Sequence, residues 1–195
     1  MIPFPDKKYN IIYADPAWTF KTWSNKGEEK SPKYDVMTIN DIKNLPVNEI
    51  IENDCVLFIW VTYPLLIEGL ETIKSWGFTY KTCGFSWIKQ NKKADSLFWG
   101  LGYWTRANNE ICLLATKGEV GSKSVINKKV RALINSPREF HSKKPDVVRN
   151  RIVELLGDIP RIELFARTRI KGWDVWGNEV PEENNEAPEE NKWWN

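Results

Sequence analysis

The alternation of apolar and polar positions along the chain predicts a series of buried β-strands with helices between them. Six stretches are rich in strand-forming residues: 9–14, 55–62, 78–89, 109–116, 128–134 and 161–166. The stretch 55–62 (CVLFIWVT) is apolar almost throughout. Such a run is typical of a central strand in a parallel sheet that is covered on both faces.

Apolar residues recur at helical spacing in two longer stretches. The first stretch is 64–76, which Gly77 ends, and its inner face is formed by Leu65, Leu66, Leu70 and Ile73. The second follows Pro145, a residue that the first turn of a helix tolerates, and reaches Gly157. A short capped helix is expected at 38–42. Strands that alternate with helices in this way predict an α/β fold of three layers around a largely parallel sheet.

The first predicted strand ends abruptly in Asp15-Pro16-Ala17-Trp18. Ligands of open α/β sheets bind at the carboxyl ends of the strands, so this acid is a candidate site residue. The Asp15 carboxylate and the Pro16 carbonyl could accept both N–H groups of an exocyclic aromatic amine, and Trp18 could stack on the base that carries it. The other interpretation is a simple turn followed by a core tryptophan.

The charge distribution indicates a nucleic-acid partner and a separate tail. Residues 117–151 hold ten Lys or Arg against three acids, a net charge of +7. A basic stretch of this kind is typical of a surface that binds phosphates, although a solvated lysine-rich surface has the same composition. Residues 181–195 contain five glutamates and one lysine, a composition typical of disordered segments. We therefore expect one domain over residues 1–180 and a disordered acidic tail.

Several other classes of protein are not favoured. No apolar run approaches the roughly 20 residues of a membrane span, and the N-terminus lacks a signal-peptide pattern, so we expect a cytoplasmic protein without a membrane partner. Cys55, Cys83 and Cys112 lie far apart, and His141 is the one histidine of the sequence. A metal site or a disulfide is therefore not expected.

The common motifs of nucleotide-binding enzymes and of hydrolases are missing from the sequence. The pair of glycines at 100 and 102 follows no clear strand and lacks the third glycine of a dinucleotide fingerprint. The sequence also contains no Walker A and no Gly-x-Ser-x-Gly motif.

Many short motifs over residues 9–180 resemble the MT-A-seventy-like adenine-N6 methyltransferases, whose signature is Asp-Pro-Pro-Trp. That family includes the catalytic subunit that writes methyladenosine in eukaryotic mRNA, and phage and bacterial DNA adenine methyltransferases. The motifs are residues 15–18, 34–38, 45–47, 57–62, 76–78, 87–89, 100–106, Glu110, 117–118, 144–146, 163–167 and 173–179. The resemblance is strongest to the phage-type branch. One departure is Ala17, which stands where the family has its second proline; alanine leaves φ less restricted there.

The resemblance implies a Rossmann-like fold in permuted order, with the catalytic strand first, and S-adenosylmethionine as cofactor. Its catalytic residues would be Asp15, Pro16, Ala17 and Trp18. Its cofactor-binding residues would be Asp15, Lys144, Glu163, Arg167, Arg169, Asn178 and Glu179. In the family pattern, Lys144 contacts the methionine carboxylate, and Asn178 and Glu179 bind the ribose hydroxyls and the adenine edge. For Glu163, a structural ion pair with an arginine is an equal alternative.

The expected activity is methyl transfer to the N6 amine of adenine, in DNA rather than RNA. Candidate substrate-binding residues are Trp18, Lys21, Trp23, Lys33, Tyr103, Arg106, Lys128 and Lys129. A homodimer or a related methyltransferase-like subunit is a further candidate partner. The alternatives are an RNA adenine methyltransferase, a catalytically silent partner subunit of the same fold, and a plain nucleic-acid-binding domain.

Overall fold

The fold is built on a seven-stranded sheet. The computed structural model describes residues 2–18, 37–100, 102, 104–139 and 143–180. Its strands are β1 (Tyr9–Ala14), β2 (Ile51–Val61), β3 (Thr79–Gln90), β4 (Asn109–Lys117), β5 (Leu133–Pro137), β6 (Arg161–Leu164) and β7 (Asp174–Trp176). Its α-helices are α1 (Ile39–Lys43), α2 (Leu66–Ser75) and α3 (Val147–Leu156). The predicted loop 19–33 and tail 181–195 lie outside the described residues.

The strands are ordered β5-β3-β4-β2-β1-β6-β7. β4 runs antiparallel to both of its neighbours, and the other pairings are parallel. Six strands therefore end at one edge of the sheet, called the carboxyl edge below. The segments after β1, β3, β5 and β6 begin there. Asp15, the first residue after β1, lies at this edge.

Helices cover both faces of the sheet because successive strand residues point to opposite sides. In β1, Ile12 and Ala14 belong to the core on the side of α1 and α2. Ile11 and Tyr13 belong to the core on the side of α3. The predicted α/β fold with a largely parallel sheet is thereby confirmed, whereas the permuted order stays a prediction.

Helix α2 packs unusually close to β2. A Cβ on Gly69 would lie 2.5 Å from Cγ1 of Val61, which is nearer than packed carbon atoms approach. At the start of α1, Thr38 is the cap: its Oγ accepts the amide of Asp41 at 3.1 Å. Among the described residues, no helix is long and apolar enough to cross a membrane.

Three strands differ clearly from those that the sequence predicts, and the first of these is β2, which begins at Ile51 rather than at Cys55. The strand predicted at 128–134 is β5 (Leu133–Pro137), because the preceding basic residues form an exposed loop. Proline is tolerated as its last residue since β5 lies at the edge of the sheet. The strand predicted at 161–166 already ends at Leu164, because Phe165 adopts a φ of +62° and turns the chain. The three-residue strand β7 was not predicted as part of the sheet.

Candidate active site at the carboxyl edge

A cleft of about 260 Å³ opens beside the end of β1. Five residues that the sequence identifies as catalytic or cofactor-binding line it: Asp15, Lys144, Glu163, Arg167 and Glu179. They come from the segments that follow β1, β5, β6 and β7, and from β6 itself. The fold therefore brings together side chains that are up to 164 positions apart in the sequence. Because oppositely charged groups share this cleft, it suits a ligand with charges of both signs.

Asp15 and Lys144 form a direct ion pair in this cleft. The Lys144 ammonium lies 2.7 Å from Oδ1 and 2.8 Å from Oδ2 of Asp15. It is also 3.4 Å from Oε2 of Glu110, which forms a salt bridge with Lys89. Two lysines thus alternate with two carboxylates, and all four side chains are at least three-quarters buried.

Burial and neighbouring charges shift the pKa values of this cluster. Burial raises the pKa of Asp15 above its usual value, and Lys144 opposes that rise. Burial also disfavours the Glu110 carboxylate, but Lys144 and Lys89 together hold its pKa below the usual value. The pKa of Lys144 is raised: burial acts against its charge, and the two carboxylates outweigh burial.

The backbone around Asp15 already uses part of its hydrogen-bonding capacity. The Pro16 carbonyl accepts the amide of Trp18 at 2.8 Å, and the Ala17 carbonyl accepts the amide of Met37 at 3.1 Å. A carbonyl oxygen has two lone pairs, so Pro16 keeps one acceptor position for an incoming N–H.

The structure gives Trp18 a packing role. Its side chain is 9% exposed within the core, and its indole N–H donates to the carbonyl of Trp60 at 2.9 Å. A substrate base would therefore meet only a small part of the ring. Stacking of Trp18 on the base stays a prediction.

Glu163 is held by a buried arginine. The Nε and Nη2 atoms of Arg149 donate to the two carboxylate oxygens of Glu163, each at 2.6 Å, and Nη1 donates to Asp146 at 2.6 Å. Arg149 also lies over the ring of Tyr13, 5.6 Å from its centroid. This geometry matches the structural ion pair that the sequence left open; a contact of Glu163 with a cofactor stays a prediction.

The remaining predicted cofactor residues differ in their position. Arg167 Nε lies 3.6 Å from Oε2 of Glu179 at the mouth of the cleft. Asn178 and Arg169 are exposed near the same edge but do not line the cleft. Their contacts with a cofactor stay predictions.

The bend after β6 shapes the cleft wall. Phe165 has a left-handed φ of +62°, a conformation that costs a non-glycine residue on the order of 1 kcal/mol or more. Its ring packs edge-on against Trp176 at 5.6 Å. Gly177 passes so close that a Cβ would lie 2.3 Å from the Ala166 carbonyl oxygen. The strained backbone of Phe165 and the close approach of Gly177 to Ala166 therefore occur at the same bend, which also supplies two lining residues of the cleft, Phe165 and Arg167.

The predicted substrate-binding residues fall into three groups. Lys21, Trp23, Lys33 and Tyr103 lie outside the described residues. Arg106 is exposed in the segment between β3 and β4, at the carboxyl edge. Lys128 and Lys129 are also exposed, but the segment that contains them contacts the C-terminal end of α3, which is the end far from the cleft.

That far end is fixed by a hydrogen bond from the Ile126 amide to the Leu155 carbonyl at 2.9 Å. Because α3 has ten residues, its two ends are about 15 Å apart. The structure therefore does not bring Lys128 and Lys129 together with Asp15.

Sequence reasoning missed three side chains of this site: Glu110 as the second partner of Lys144, its partner Lys89, and Arg149. Glu110 and Lys89 both belong to motifs noted above, but no role was assigned to either. It also missed two exposed tryptophans between β3 and β4, Trp99 and Trp104, which are 77% and 92% exposed. The sequence did contain one signal for Lys89 and Glu110: each is a charged residue at an end of a predicted strand, Lys89 in 78–89 and Glu110 in 109–116.

A larger groove of about 440 Å³ has a different character. It is lined by the N-terminal segment 2–6, by Trp176 and by residues that precede β2. Asp6 and Glu49 are the charged residues in its lining, and both are acids. The smaller cleft holds the ion-pair cluster and is therefore the better candidate for an active site.

Comparisons with known proteins identify the family of this chain. A model of the MT-A70 family matches residues 9–179. The chain is 33% identical to a type II methyltransferase, M.MunI, of a Mycoplasma species, over 94% of this chain and 83% of that protein. It is 27% identical to the mouse N(6)-adenine-specific methyltransferase METTL4 and 26% identical to the human N(6)-adenosine-methyltransferase catalytic subunit METTL3. Each of these two matches covers 89% of this chain, but only 38% and 28% of the relative. The resemblance that the sequence motifs indicate is confirmed, and the chain belongs to the MT-A70 family.

Proposed function

We propose that this protein transfers a methyl group from S-adenosylmethionine to the N6 amine of adenine in nucleic acid. The observation that carries the proposal is the pairing of Asp15 with Lys144 at the carboxyl edge in a chain of the MT-A70 family. The names of its relatives, which include adenine-specific and adenosine methyltransferases, support the same target atom. DNA is the favoured substrate, because the sequence motifs are closest to the phage-type branch.

The charges of the cleft fit this cofactor. S-adenosylmethionine carries a carboxylate, an ammonium and a sulfonium, and the cleft offers both cations and anions. Lys144 would hold the carboxylate, and Asp15 would face the positive groups. Arg167, Arg169, Asn178 and Glu179 would bind the ribose and adenine. The cleft, at about 260 Å³, is slightly smaller than the roughly 300–1,000 Å³ of typical small-molecule pockets, and it is open to solvent, so part of a bound cofactor would extend beyond it.

The chain's own groups would orient the target amine. An exocyclic amine of adenine is a poor nucleophile because its lone pair is delocalised into the ring. The Asp15 carboxylate and the second lone pair of the Pro16 carbonyl would accept its two N–H groups and hold the nitrogen in line with the donor. When bound, S-adenosylmethionine would supply an electrophilic methyl group and retain the electron pair of the broken carbon–sulfur bond as a neutral thioether. The lone pair of the amine that Asp15 and Pro16 hold would form the new bond to carbon, and the surplus proton of the methylated amine would leave to water.

The proposal also covers the contacts with nucleic acid, the location of the protein in the cell and its protein partner. Arg106 at the carboxyl edge would contact phosphates, and Lys21, Trp23, Lys33 and Tyr103 would contribute from outside the described residues. We place the protein in the cytoplasm of a bacterial cell or of a phage-infected host. A homodimer or a related methyltransferase-like subunit is the proposed protein partner.

The test is methyl transfer from labelled S-adenosylmethionine to DNA and RNA oligonucleotides that contain adenine, at low salt. We expect labelled N6-methyladenine in DNA, and loss of the label when Asp15 is replaced by Asn. Lys43→Met is a matched control, since it breaks an ion pair with Glu71 that lies on α1 and α2, away from the cleft. Absence of transfer to either nucleic acid would overturn the proposal.

The second candidate is a catalytically silent partner subunit of the same fold. The observation that bears on it is that Asp15 and Lys144 are both present and paired in this chain. A silent subunit would bind nucleic acid without binding S-adenosylhomocysteine. Calorimetric titration with S-adenosylhomocysteine therefore separates the two candidates.

A further inference from the structure

Four charged side chains form a continuous row at the carboxyl edge, and each comes from a different strand or from the segment that follows it. Asp15 follows β1, Lys144 follows β5, Glu110 lies on β4 and Lys89 on β3. The ammonium of Lys144 lies 2.7 Å from Asp15 and 3.4 Å from Glu110, and Glu110 is bound by Lys89. Lys144 therefore already has a second carboxylate within reach.

The two functions proposed for Asp15 and Lys144 conflict in this arrangement. Both oxygens of the Asp15 carboxylate face the Lys144 ammonium. Each oxygen keeps a second lone pair, but an ammonium that contacts both oxygens weakens them as acceptors, so Asp15 holds a target amine best when the ammonium withdraws at least partly. A buried ammonium that loses its counter-ion is strongly disfavoured unless other anions receive it: the carboxylate of the cofactor would be one, and an anion of the protein would be the other.

Glu110 is placed to be that anion. It lies on a strand that pairs directly with β3: Glu110 is opposite Trp87, and the Lys89 amide donates to the Asn108 carbonyl at 2.8 Å. Lys89 therefore lies diagonally across from Glu110 on the same pair of strands, a position that long side chains can bridge. This backbone ladder fixes Glu110, whereas Lys144 is in a loop ahead of α3.

Aromatic rings support both ammonium groups. The Lys144 ammonium lies 5.7 Å from the centroid of the Trp60 ring, and the Lys89 ammonium lies 5.2 Å from that of Trp87. The two tryptophans pack edge to face with their ring centroids 6.3 Å apart. A cation near the face of a buried aromatic ring is stabilised over a range of positions. The Trp60 ring can therefore stabilise the Lys144 ammonium while the ammonium shifts from one carboxylate to the other.

We propose that Glu110, held in place by Lys89, replaces Asp15 as the protein counter-ion of Lys144 when the target amine binds. Glu110 and Lys89 are then positioning residues: neither contacts the reacting atoms, but both decide whether Asp15 is available. This inference rests on the proposed function of Asp15 and names the residues that regulate it.

The first experiment needs no substrate. Asp15→Asn, Glu110→Gln and the double variant are unfolded with urea, and their midpoints are compared with that of the wild type. We expect Asp15→Asn alone to lower the midpoint little, because Lys144 moves to Glu110. The double variant leaves Lys144 buried without a carboxylate, and its midpoint should fall by clearly more than the two single shifts together.

The outcome of this cycle decides the structural half of the inference. Additive shifts would overturn it, because they would mean that Glu110 does not replace Asp15 as a partner of Lys144. A double variant that fails to fold, while both single variants fold, is the extreme case of the expected result. Since no methyl transfer is measured, the cycle remains informative even if the proposed function is wrong.

The second experiment measures catalysis. Single-turnover methyl transfer by Glu110→Gln should be at least tenfold slower than by the wild type, while its affinity for S-adenosylhomocysteine changes less than threefold. Lys89→Met should also slow the reaction, and Lys89→Arg should restore most of the rate. Lys43→Met serves again as the control without effect. An unchanged rate in Glu110→Gln, or a rate loss that only follows lost cofactor affinity, would overturn the inference.

Discussion

Lys144 and Asp15 are 129 positions apart in the sequence, yet the Lys144 ammonium contacts both oxygens of the Asp15 carboxylate. In this arrangement each group neutralises the other and neither is available to a ligand. A cofactor that brings a carboxylate to Lys144 and positive charge to Asp15 would give each group a new partner. The ion pair thus keeps two reactive charges stable inside the protein until a ligand with charges of both signs enters.

Lys144→Met should strongly weaken cofactor binding. A hydrogen bond to a charged group contributes roughly 1.5–3 kcal/mol, so we expect a loss of about 10- to 100-fold in affinity for S-adenosylhomocysteine. The measurement is calorimetric titration. The matched control is Lys43→Met, which removes a lysine that pairs with Glu71 between α1 and α2 and does not line the cleft. Equal losses in both variants would contradict the assigned role of Lys144.

The acid limb of the pH profile should move when Glu110 loses its charge. Burial raises the pKa of Asp15, Lys144 and Arg167 lower it, and the Glu110 carboxylate raises it. Transfer needs the Asp15 carboxylate, so activity is lost as the pH falls through this raised pKa. In Glu110→Gln one anion that faces Asp15 is gone, the Asp15 pKa falls, and the limb moves to lower pH. The measurement is kcat/KM for an oligonucleotide between about pH 4.5 and pH 8. A limb that stays in place or moves upward would be the contrary result.

Hydrophobic patterning predicted most of the sheet because its central strands β1, β2 and β4 are largely buried on both faces. The predicted stretch 9–14 coincides with β1, and 109–116 differs from β4 by one residue. The short strand β7 and the displaced β5 were harder to predict. Both are at the edges of the sheet, where one side lacks a neighbouring strand and the apolar signal is weak.

Only those site residues that belong to a recognisable sequence motif could be predicted. Asp15 could be identified from its place at the end of a buried strand. No local pattern links it to Lys144, which the family resemblance supplied. The Lys89–Glu110 pair depends on which strands are neighbours, and a single sequence does not contain that information. The left-handed Phe165 was equally hidden, because that conformation normally indicates glycine.

Arg149→Leu should destabilise the protein severely. The variant leaves the Glu163 carboxylate buried without its cation, and breaking a buried pair in this way costs roughly 3–5 kcal/mol. Urea unfolding measures this loss. Adding Glu163→Gln should recover much of it, because the unpaired charge is then absent. Lys7→Met is the control, since it breaks the exposed pair with Asp174, which is worth about 1 kcal/mol or less. A loss for Arg149→Leu as small as that of the control would contradict this account.

Gly69→Ala should destabilise the protein although alanine is the better helix former. Helix propensity alone would favour alanine by about 1 kcal/mol in the middle of α2. The added Cβ would, however, lie 2.5 Å from Val61 Cγ1, so the buried Val61 side chain, α2 or β2 must shift. Overpacking of this kind costs roughly 1–3 kcal/mol, and we expect a net loss in the free energy of unfolding. The double variant Gly69→Ala, Val61→Ala should relieve the clash; a stabilised Gly69→Ala variant would show that the contact is not tight.

Charge removal at the two edges of the sheet should have unequal effects on nucleic-acid binding. Arg106 is exposed at the carboxyl edge, whereas Lys128 and Lys129 are near the far end of α3, about 15 Å away along that helix. With a short single-stranded oligonucleotide, Arg106→Ala should weaken binding and reduce the slope of log K against log salt by about 0.7, the value for one lost phosphate contact. Lys128→Ala and Lys129→Ala should leave both quantities unchanged on this substrate and act only on a longer duplex that reaches their end of the molecule. If either lysine variant matches Arg106→Ala on the short oligonucleotide, the bound strand does not follow the carboxyl edge.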